Sequence, residues 1–273
     1  VLDPQPIESR LARPGQWRNL GGMMNIRWIS ALVLAVCLAA IAIPAAEPGK
    51  TKVLVVTGGH GFEREPFLDL FARNPDIAFT HAAHSGTNAT VYEREDLLSY
   101  DVLVLYDMPK NITENQRSKF LSLLDRGTGL VVLHHALVSF QKWPDYEGII
   151  GGRYPEGSSS SGAVTPAVGY EHDVDVPVTI VARDHPITAG LRDFTIHDEI
   201  YWGFRVGADV TPLLSTTHPR SGRPLAWTRA QSNSRIVYLQ LGHDRQAFEN
   251  PNFRQLVARS IGWAARPDGG ITR

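Results

Sequence analysis

The sequence predicts an α/β fold: a doubly wound, mostly parallel sheet with helices on both faces. Three observations carry that expectation. Short β-branched runs recur at residues 52–57, 101–106 and 129–133, and they are apolar almost throughout, as strands covered on both faces are. Segments with helical spacing separate them, and alternating strands and helices build parallel sheets. The 273 residues, 43% hydrophobic and 20% charged, have the composition of a globular chain with one large core. The domain is placed at 51–266.

Taken in order, Lys52-Val53-Leu54-Val55-Val56-Thr57 ends in Gly58-Gly59 and is expected as the first central strand. Residues 66–73 carry Phe67, Leu70 and Phe71 at helical spacing, and 77–80 are strand-like. Val102, Leu103, Val104 and Leu105 repeat the buried-strand pattern. Thr113-Glu114-Asn115-Gln116 has capping-box spacing, so the helix after it should turn Phe120, Leu121 and Leu124 inward until Gly127 stops it. Residues 129–133 form a third buried strand. The second half is less regular. Ser158-Ser159-Ser160-Ser161-Gly162 predicts a mobile loop, 174–181 and 235–241 read as strands, and 253–263 closes the domain as an amphipathic helix. Leu256, Val257, Ser260, Ile261 and Trp263 lie on or near its buried stripe.

Ahead of the domain, residues 23–46 have the form of a secretory signal. Arg27 precedes an apolar stretch from 29 to 43, followed by Pro44-Ala45-Ala46-Glu47. The stretch is shorter than the ~20 residues of a spanning helix, so cleavage near Ala45 or Ala46 is expected, with no stable membrane insertion afterwards. An uncleaved anchor is the competing reading. Periplasmic or secreted localisation follows from the leader. Cys37 is preceded by the bulky Val36, which makes a poor lipid-attachment site. Residues 1–22 precede tandem methionines and read as a non-native upstream extension.

Several function classes are excluded. A formal net charge of −1, without basic runs among aromatics, lacks the attraction that drives nucleic-acid binding. Gly58-Gly59-His60-Gly61-Phe62 lacks the rest of a dinucleotide fingerprint, and no Lys-Ser pair completes a phosphate loop, so no nucleotide cofactor is expected. The single cysteine, Cys37, lies in the leader; the domain after cleavage has neither a disulfide nor a thiolate nucleophile.

In open parallel sheets, ligands bind outside the carboxyl ends of the strands. Those ends carry His60 with Phe62, then Asp107, then His134 and His135, and finally His243 within Leu241-Gly242-His243-Asp244. Imidazoles can ligate a metal, act as a base or hydrogen-bond a substrate oxygen. Neighbouring side chains on an extended segment diverge, so one of His134 and His135 should reach the pocket. The alternative is a pair satisfied by backbone carbonyls. His197-Asp198-Glu199-Ile200-Tyr201-Trp202 adds carboxylates beside aromatics able to stack on sugar rings, against the plainer reading of an acidic turn before a core aromatic pair. Tyr154 is a further such aromatic. Asp184-His185-Pro186 reads as a turn capped by His185. His81, His84, His172 and His218 sit in loop-like contexts and receive no role. Without a His-Glu-x-x-His helix or paired cysteines, a metal site has to assemble from distant segments. His60, His135, Glu199 and His243 are the candidate ligands, and zinc suits that donor set best among divalent ions.

Together these segments resemble the ThuA-like, or trehalose-utilisation, family, from about Lys52 to Ala265. The likeness rests on Gly58-Gly59-His60-Gly61-Phe62, Leu133-His134-His135-Ala136, Gly151-Gly152-Arg153-Tyr154, and His185-Pro186-Ile187-Thr188-Ala189-Gly190-Leu191. It rests equally on Asp198-Glu199-Ile200-Tyr201, Pro224-Leu225-Ala226-Trp227-Thr228-Arg229, and Arg235-Ile236-Val237-Tyr238 running into Leu241-Gly242-His243-Asp244. The resemblance implies a flavodoxin-like fold similar to class I glutamine amidotransferases without their cysteine. It also implies a role in sugar catabolism, notably of keto-sugar derivatives of disaccharides, and pocket residues His60, His134, His135, Glu199 and His243. Phe140, Trp143 and Tyr146 depart from the family's aromatic-poor loop after the histidine pair.

The reading is an exported carbohydrate-processing enzyme that hydrolyses or β-eliminates a keto-sugar glycoside. His134, His135 and Glu199 are its catalytic candidates, His135 being favoured as base or ligand. Phe62, Asp107, Tyr154, Tyr201 and Trp202 are the candidate substrate contacts. The alternative is a non-catalytic carbohydrate-binding module using Trp143, Tyr154, Tyr201 and Trp202 as platforms.

Overall fold

The computed structural model describes residues 49–156 and 168–265. The upstream extension, the leader and the serine run lie outside the described residues. Among the described residues, no helix is long and apolar enough to cross a membrane.

The chain runs β1 (Thr51–Gly58), α1 (Arg64–Ala72), β2 (Ile77–Ala83), β3 (Val102–Asp107), α2 (Glu114–Arg126) and β4 (Gly129–Leu133). A 3₁₀ turn (His134–Val138), α3 (Asp145–Ile150), β5 (Gly152–Arg153), β6 (Gly169–Ile180), β7 (Phe194–Trp202) and β8 (Arg205–Val206) follow. The last elements are β9 (Thr211–Thr216), β10 (Ala226–Gln231), β11 (Ser234–Leu239), α4 (Arg245–Glu249) and α5 (Pro251–Ala264). Nine strands form one sheet in the order β2-β1-β3-β4-β11-β10-β9-β6-β7, and β5 pairs with β8 separately.

The expected apolar runs are the centre of this sheet. Val53 and Val55 belong to one core layer with α1, α4 and α5, whereas Leu54 and Val56 belong to the other with α2 and α3. A strand that feeds two cores cannot alternate with polar residues, which is why these runs are apolar throughout. The sheet is nevertheless mixed rather than mostly parallel. β2, β1, β3, β4 and β11 are parallel, but β10, β9, β6 and β7 extend the sheet through antiparallel pairs.

Helix α2 has its capping box, with the Gln116 N–H donating to Thr113 Oγ1 at 3.3 Å and the Thr113 N–H donating to Gln116 Oε1 at 2.8 Å. Gly127 ends it at φ +93°, a left-handed turn that favours glycine. Its inner face differs from expectation: Phe120, Leu123 and Leu124 are buried, while Leu121 is exposed. Positions 116, 120, 123 and 124 share one stripe at 3.6 residues per turn, and 121 falls off it. Helix α5 buries Phe253, Leu256, Val257, Ser260 and Ile261, with Trp263 packed at the margin.

Two features of topology locate the site. After β1 the chain moves outward to β2 and then returns to β3 on the other side of β1, so the β1/β3 carboxyl ends form a switch-point crevice. There Gly59, at φ +81°, passes so close to the Met108 carbonyl that a Cβ would overlap it. The antiparallel wing supplies the opposite wall. β7 is last in the strand order, yet its Asp198 carboxylate accepts the backbone N–H groups of Gly242 and His243, just beyond β11, at 2.8 and 2.9 Å. The wing therefore curves back over the carboxyl ends of the parallel strands.

Candidate functional site

His134 begins the turn after β4 with φ +51°, a conformation that costs a non-glycine residue about 1–3 kcal/mol. This breaks the extended alternation, so the rings of His134 and His135 stand at 79° to each other. Both reach the site, against the expectation of one, and they serve different walls. His134 Nδ1 lies 2.6 Å from the Gln240 carbonyl. A carbonyl only accepts, so Nδ1 carries the proton and Nε2 is the atom offered to the site.

Around His134 Nε2 stand Glu199 Oε2 at 2.8 Å, the Tyr201 hydroxyl at 2.9 Å and His243 Nδ1 at 3.2 Å. His243 Nδ1 is also 3.1 Å from Glu199 Oε2. The ligand atoms of His134, Glu199 and His243 all lie within 4.8 Å of one another. Two imidazole nitrogens and a carboxylate oxygen converge lone pair to lone pair, and only a proton or a cation can sit between such groups. Burial opposes ionisation of Glu199, but its contacts with His134 and His243, and the positive charge a proton on either imidazole brings, outweigh it and hold the carboxyl far below its ordinary range. The same bond to Glu199 raises His243 against the effect of its burial.

Asp198 holds this cluster in place. It is buried, and besides Gly242 and His243 it accepts the N–H of Glu199 at 2.8 Å. Burial raises its pKa despite those three donors. One carboxylate thus ties the Glu199 backbone to the loop that carries His243. Sequence alone gives Asp198 no role, because two of its three partners are backbone groups more than forty positions away.

Beside the cluster opens a pocket of about 380 Å³, lined among others by His60, His135, Tyr154, Tyr170, His172 and Glu199. That volume falls within the span of small-molecule sites. His172, given no role from sequence, stands on β6 with Nδ1 3.3 Å from Glu199 Oε1 and its ring 4.4 Å from that of His243. A bulge between Glu171 and Val174, with Asp173 at φ +57°, interrupts β6 beside it. The spacing of two between Tyr170 and His172 is the strand signal that could have exposed them.

The other expected site residues divide clearly. His60 and His135, expected as ligands beside Glu199 and His243, instead stack on each other with centroids 4.4 Å apart. Burial lowers the pKa of both, and of His135 strongly. Tyr154 lines the pocket, edge-on to Tyr201, which lines it too. Three expected substrate contacts are placed elsewhere. Asp107 is buried against His84 at 2.9 Å, with His84 Nδ1 accepting the Val91 N–H. Phe62 packs edge-on against Phe67 and Tyr106. Trp202 lies flush against Gly169, where a Cβ would collide with its ring.

The donor set fits a divalent ion. Two nitrogens and one carboxylate oxygen, from His134, His243 and Glu199, are a set that could hold such an ion, and His134 has the outer hydrogen bond that orients such ligands.

A profile of the family described as ThuA, trehalose utilisation, matches residues 52–264. Among solved structures, a putative ThuA-like protein from Parabacteroides merdae superposes with TM-score 0.68 at 20% identity, covering 82% of this chain and 92% of that one. Another from Bacteroides uniformis gives TM-score 0.60 at 22% identity, covering 81% and 94%. A β-galactosidase from Rahnella sp. R3 gives TM-score 0.51 at 14% identity, over 86% of this chain but only 35% of the enzyme. These structural likenesses show the fold alone. No curated protein matches significantly. With the profile spanning nearly all of the described domain, this chain belongs to the ThuA family, a family linked to carbohydrate utilisation.

Proposed function

We propose that this chain processes a keto-sugar glycoside with the help of a divalent metal, zinc most readily, held by His134 Nε2, Glu199 and His243 Nδ1. The convergence of those three ligand atoms beside a pocket of sugar-ring size carries the reading. Membership of a trehalose-utilisation family supports the substrate class. When bound, the ion supplies Lewis acidity toward a sugar carbonyl or hydroxyl.

The chain's own residues do the rest. Glu199 stays ionised, and Gln240 fixes the tautomer of His134. Tyr154 and Tyr170 offer ring faces to a sugar. His172 faces the pocket beside Glu199 and is the proton carrier. A keto group acidifies the neighbouring C–H. When the base takes that proton, its electron pair forms a C=C bond, the glycosidic C–O bond at the next carbon breaks, and the departing oxygen takes up a proton. Addition of water to the resulting enone within the site makes the overall reaction a hydrolysis. Export through the leader-like residues 23–46 belongs to the same proposal.

A binding module is the weaker reading. Trp143 is buried in the core and Trp202 covers Gly169, which leaves Tyr154 and Tyr201 of the four expected platforms at the pocket. The test is turnover of a chemically oxidised trehalose by chelator-stripped and zinc-reloaded protein, with products followed by NMR. Release of glucose or an enone only after reloading, and its loss in His134→Ala, supports the enzyme. Saturable sugar binding without turnover by reloaded protein would establish the module instead.

A further inference from the structure

We infer that His135, backed by His60, reads an uncharged ring hydroxyl of the ligand and forms a subsite separate from the His134–Glu199–His243 cluster. The inference rests on the carbohydrate reading above and assigns a part of the ligand to a part of the pocket.

His135 is 3% exposed, and neither ring nitrogen has a hydrogen-bond partner within the described protein. The Tyr106 carbonyl approaches the ring without meeting it in hydrogen-bond geometry. Buried polar atoms are rarely left unmatched, because desolvation is then uncompensated. His135 lines the pocket with its ring while both nitrogens are closed to solvent, so a ligand in that pocket supplies the match once the pocket wall shifts slightly to open one of them. A neutral imidazole offers one donor and one acceptor, and a hydroxyl can answer either.

The ring is also held rigidly. His60 stacks on it at 4.4 Å and Tyr106 packs at 4.3 Å. His60 is itself oriented by its Nδ1 contact to the Gly61 carbonyl at 2.6 Å, so its Nε2 is left as a second acceptor. A polar group with its direction fixed in advance selects by geometry at low ordering cost. Among the described residues, no lysine or arginine lines the pocket. Glu156, which does line it, is paired with Lys110 at 3.8 Å. A phosphate or carboxylate in the ligand would thus find no lysine or arginine among the described lining residues, whereas a hydroxyl finds His135.

The test is calorimetry on zinc-loaded protein with trehalose, maltose and sucrose, none of which carries a keto group, and with monodeoxy analogues of the tightest binder. The expected result is that His135→Phe keeps its zinc stoichiometry but binds the sugar at least about tenfold more weakly. One monodeoxy analogue should lose a similar factor in the wild type and nothing further in His135→Phe, while His135→Asn recovers part of the affinity. Unchanged affinity in His135→Phe, or loss of zinc from it, would overturn the inference. If the substitutions unfold the chain, equal wild-type affinity for every monodeoxy analogue would do the same. Failure of the wild type to bind any of these sugars would overturn the subsite, and it would defeat the carbohydrate reading as well only where the oxidised trehalose is not turned over either.

Discussion

His134 Nε2 and Glu199 Oε2 lie 2.8 Å apart, although His134 follows β4 in the middle of the sheet and Glu199 sits on β7 at its end. The fold produces that meeting with two devices. A left-handed residue turns the His134 ring out of the strand's alternation. The Asp198 carboxylate staples the curved antiparallel wing to the loop beyond β11.

Removing the staple should loosen both strands at once. Asp198→Asn exchanges charge-assisted acceptance of three N–H groups for a neutral amide and should destabilise the chain by about 1–3 kcal/mol. Zinc affinity should fall by roughly 10- to 100-fold, as it does when ligand-orienting contacts are lost. Urea melts and competitive zinc titration measure the two effects, and an unchanged zinc affinity would show that Asp198 does not position the cluster.

The switch-point crevice leaves no room for a side chain at Gly59. Gly59→Ala combines an unfavourable positive φ with overlap on the Met108 carbonyl, and a loss of about 2–4 kcal/mol is expected. Gly61→Ala, where a Cβ meets nothing within 4 Å, is the control and should stay within about 1 kcal/mol of wild type. Equal stability of the two variants would refute the close approach.

On α2 the buried stripe is Phe120, Leu123 and Leu124 rather than Leu121. Phe120→Ala should cost about 3–5 kcal/mol and Leu121→Ala less than about 0.5 kcal/mol. Thermal melts of the two variants decide the helix phase directly.

His185 makes stability depend on pH. Its Nδ1 accepts the Ile187 N–H at 3.2 Å, and burial followed by the charge of Arg235 lowers its pKa from 6.5. Below that value the unfolded chain binds a proton that the folded chain resists, so this contribution is complete above pH 6.5 and declines as the pH falls through it. His185→Asn keeps an acceptor for the turn without titrating. The stability advantage of wild type over this variant should therefore shrink between pH 7.5 and 5.5, as read from urea melts on chelator-stripped protein. An advantage that grows on acidification would reverse the sign of the argument.

How much of this was legible in the sequence depended on burial. β1, β3, β4 and β11 were visible because strands covered on both faces are written as unbroken apolar runs, and α2 because Thr113 and Gln116 spell its cap. Of the antiparallel wing, only the second half of β6, read as a strand over 174–181, was visible. β9 and β10 are short and mix Thr, Pro, Arg and Gln into half-exposed positions, and the first residues of β6 resemble a polar loop. The histidines at the strand ends and Glu199 could be picked out because topology predicts where such ends gather. Which of them meet could not, since His134 is turned by a backbone dihedral and His172 arrives on the wing. Asp107, Phe62 and Trp202 fit the strand-end rule in sequence, but their side chains are taken by His84, by the Phe67–Tyr106 pair and by Gly169.

The most direct test of the account is zinc titration of chelator-stripped protein by calorimetry. It should give one tight site per chain that is lost in His134→Ala, Glu199→Gln and His243→Ala yet retained in His60→Ala. Absence of stoichiometric binding by wild type, or binding that survives all three cluster substitutions, would contradict it.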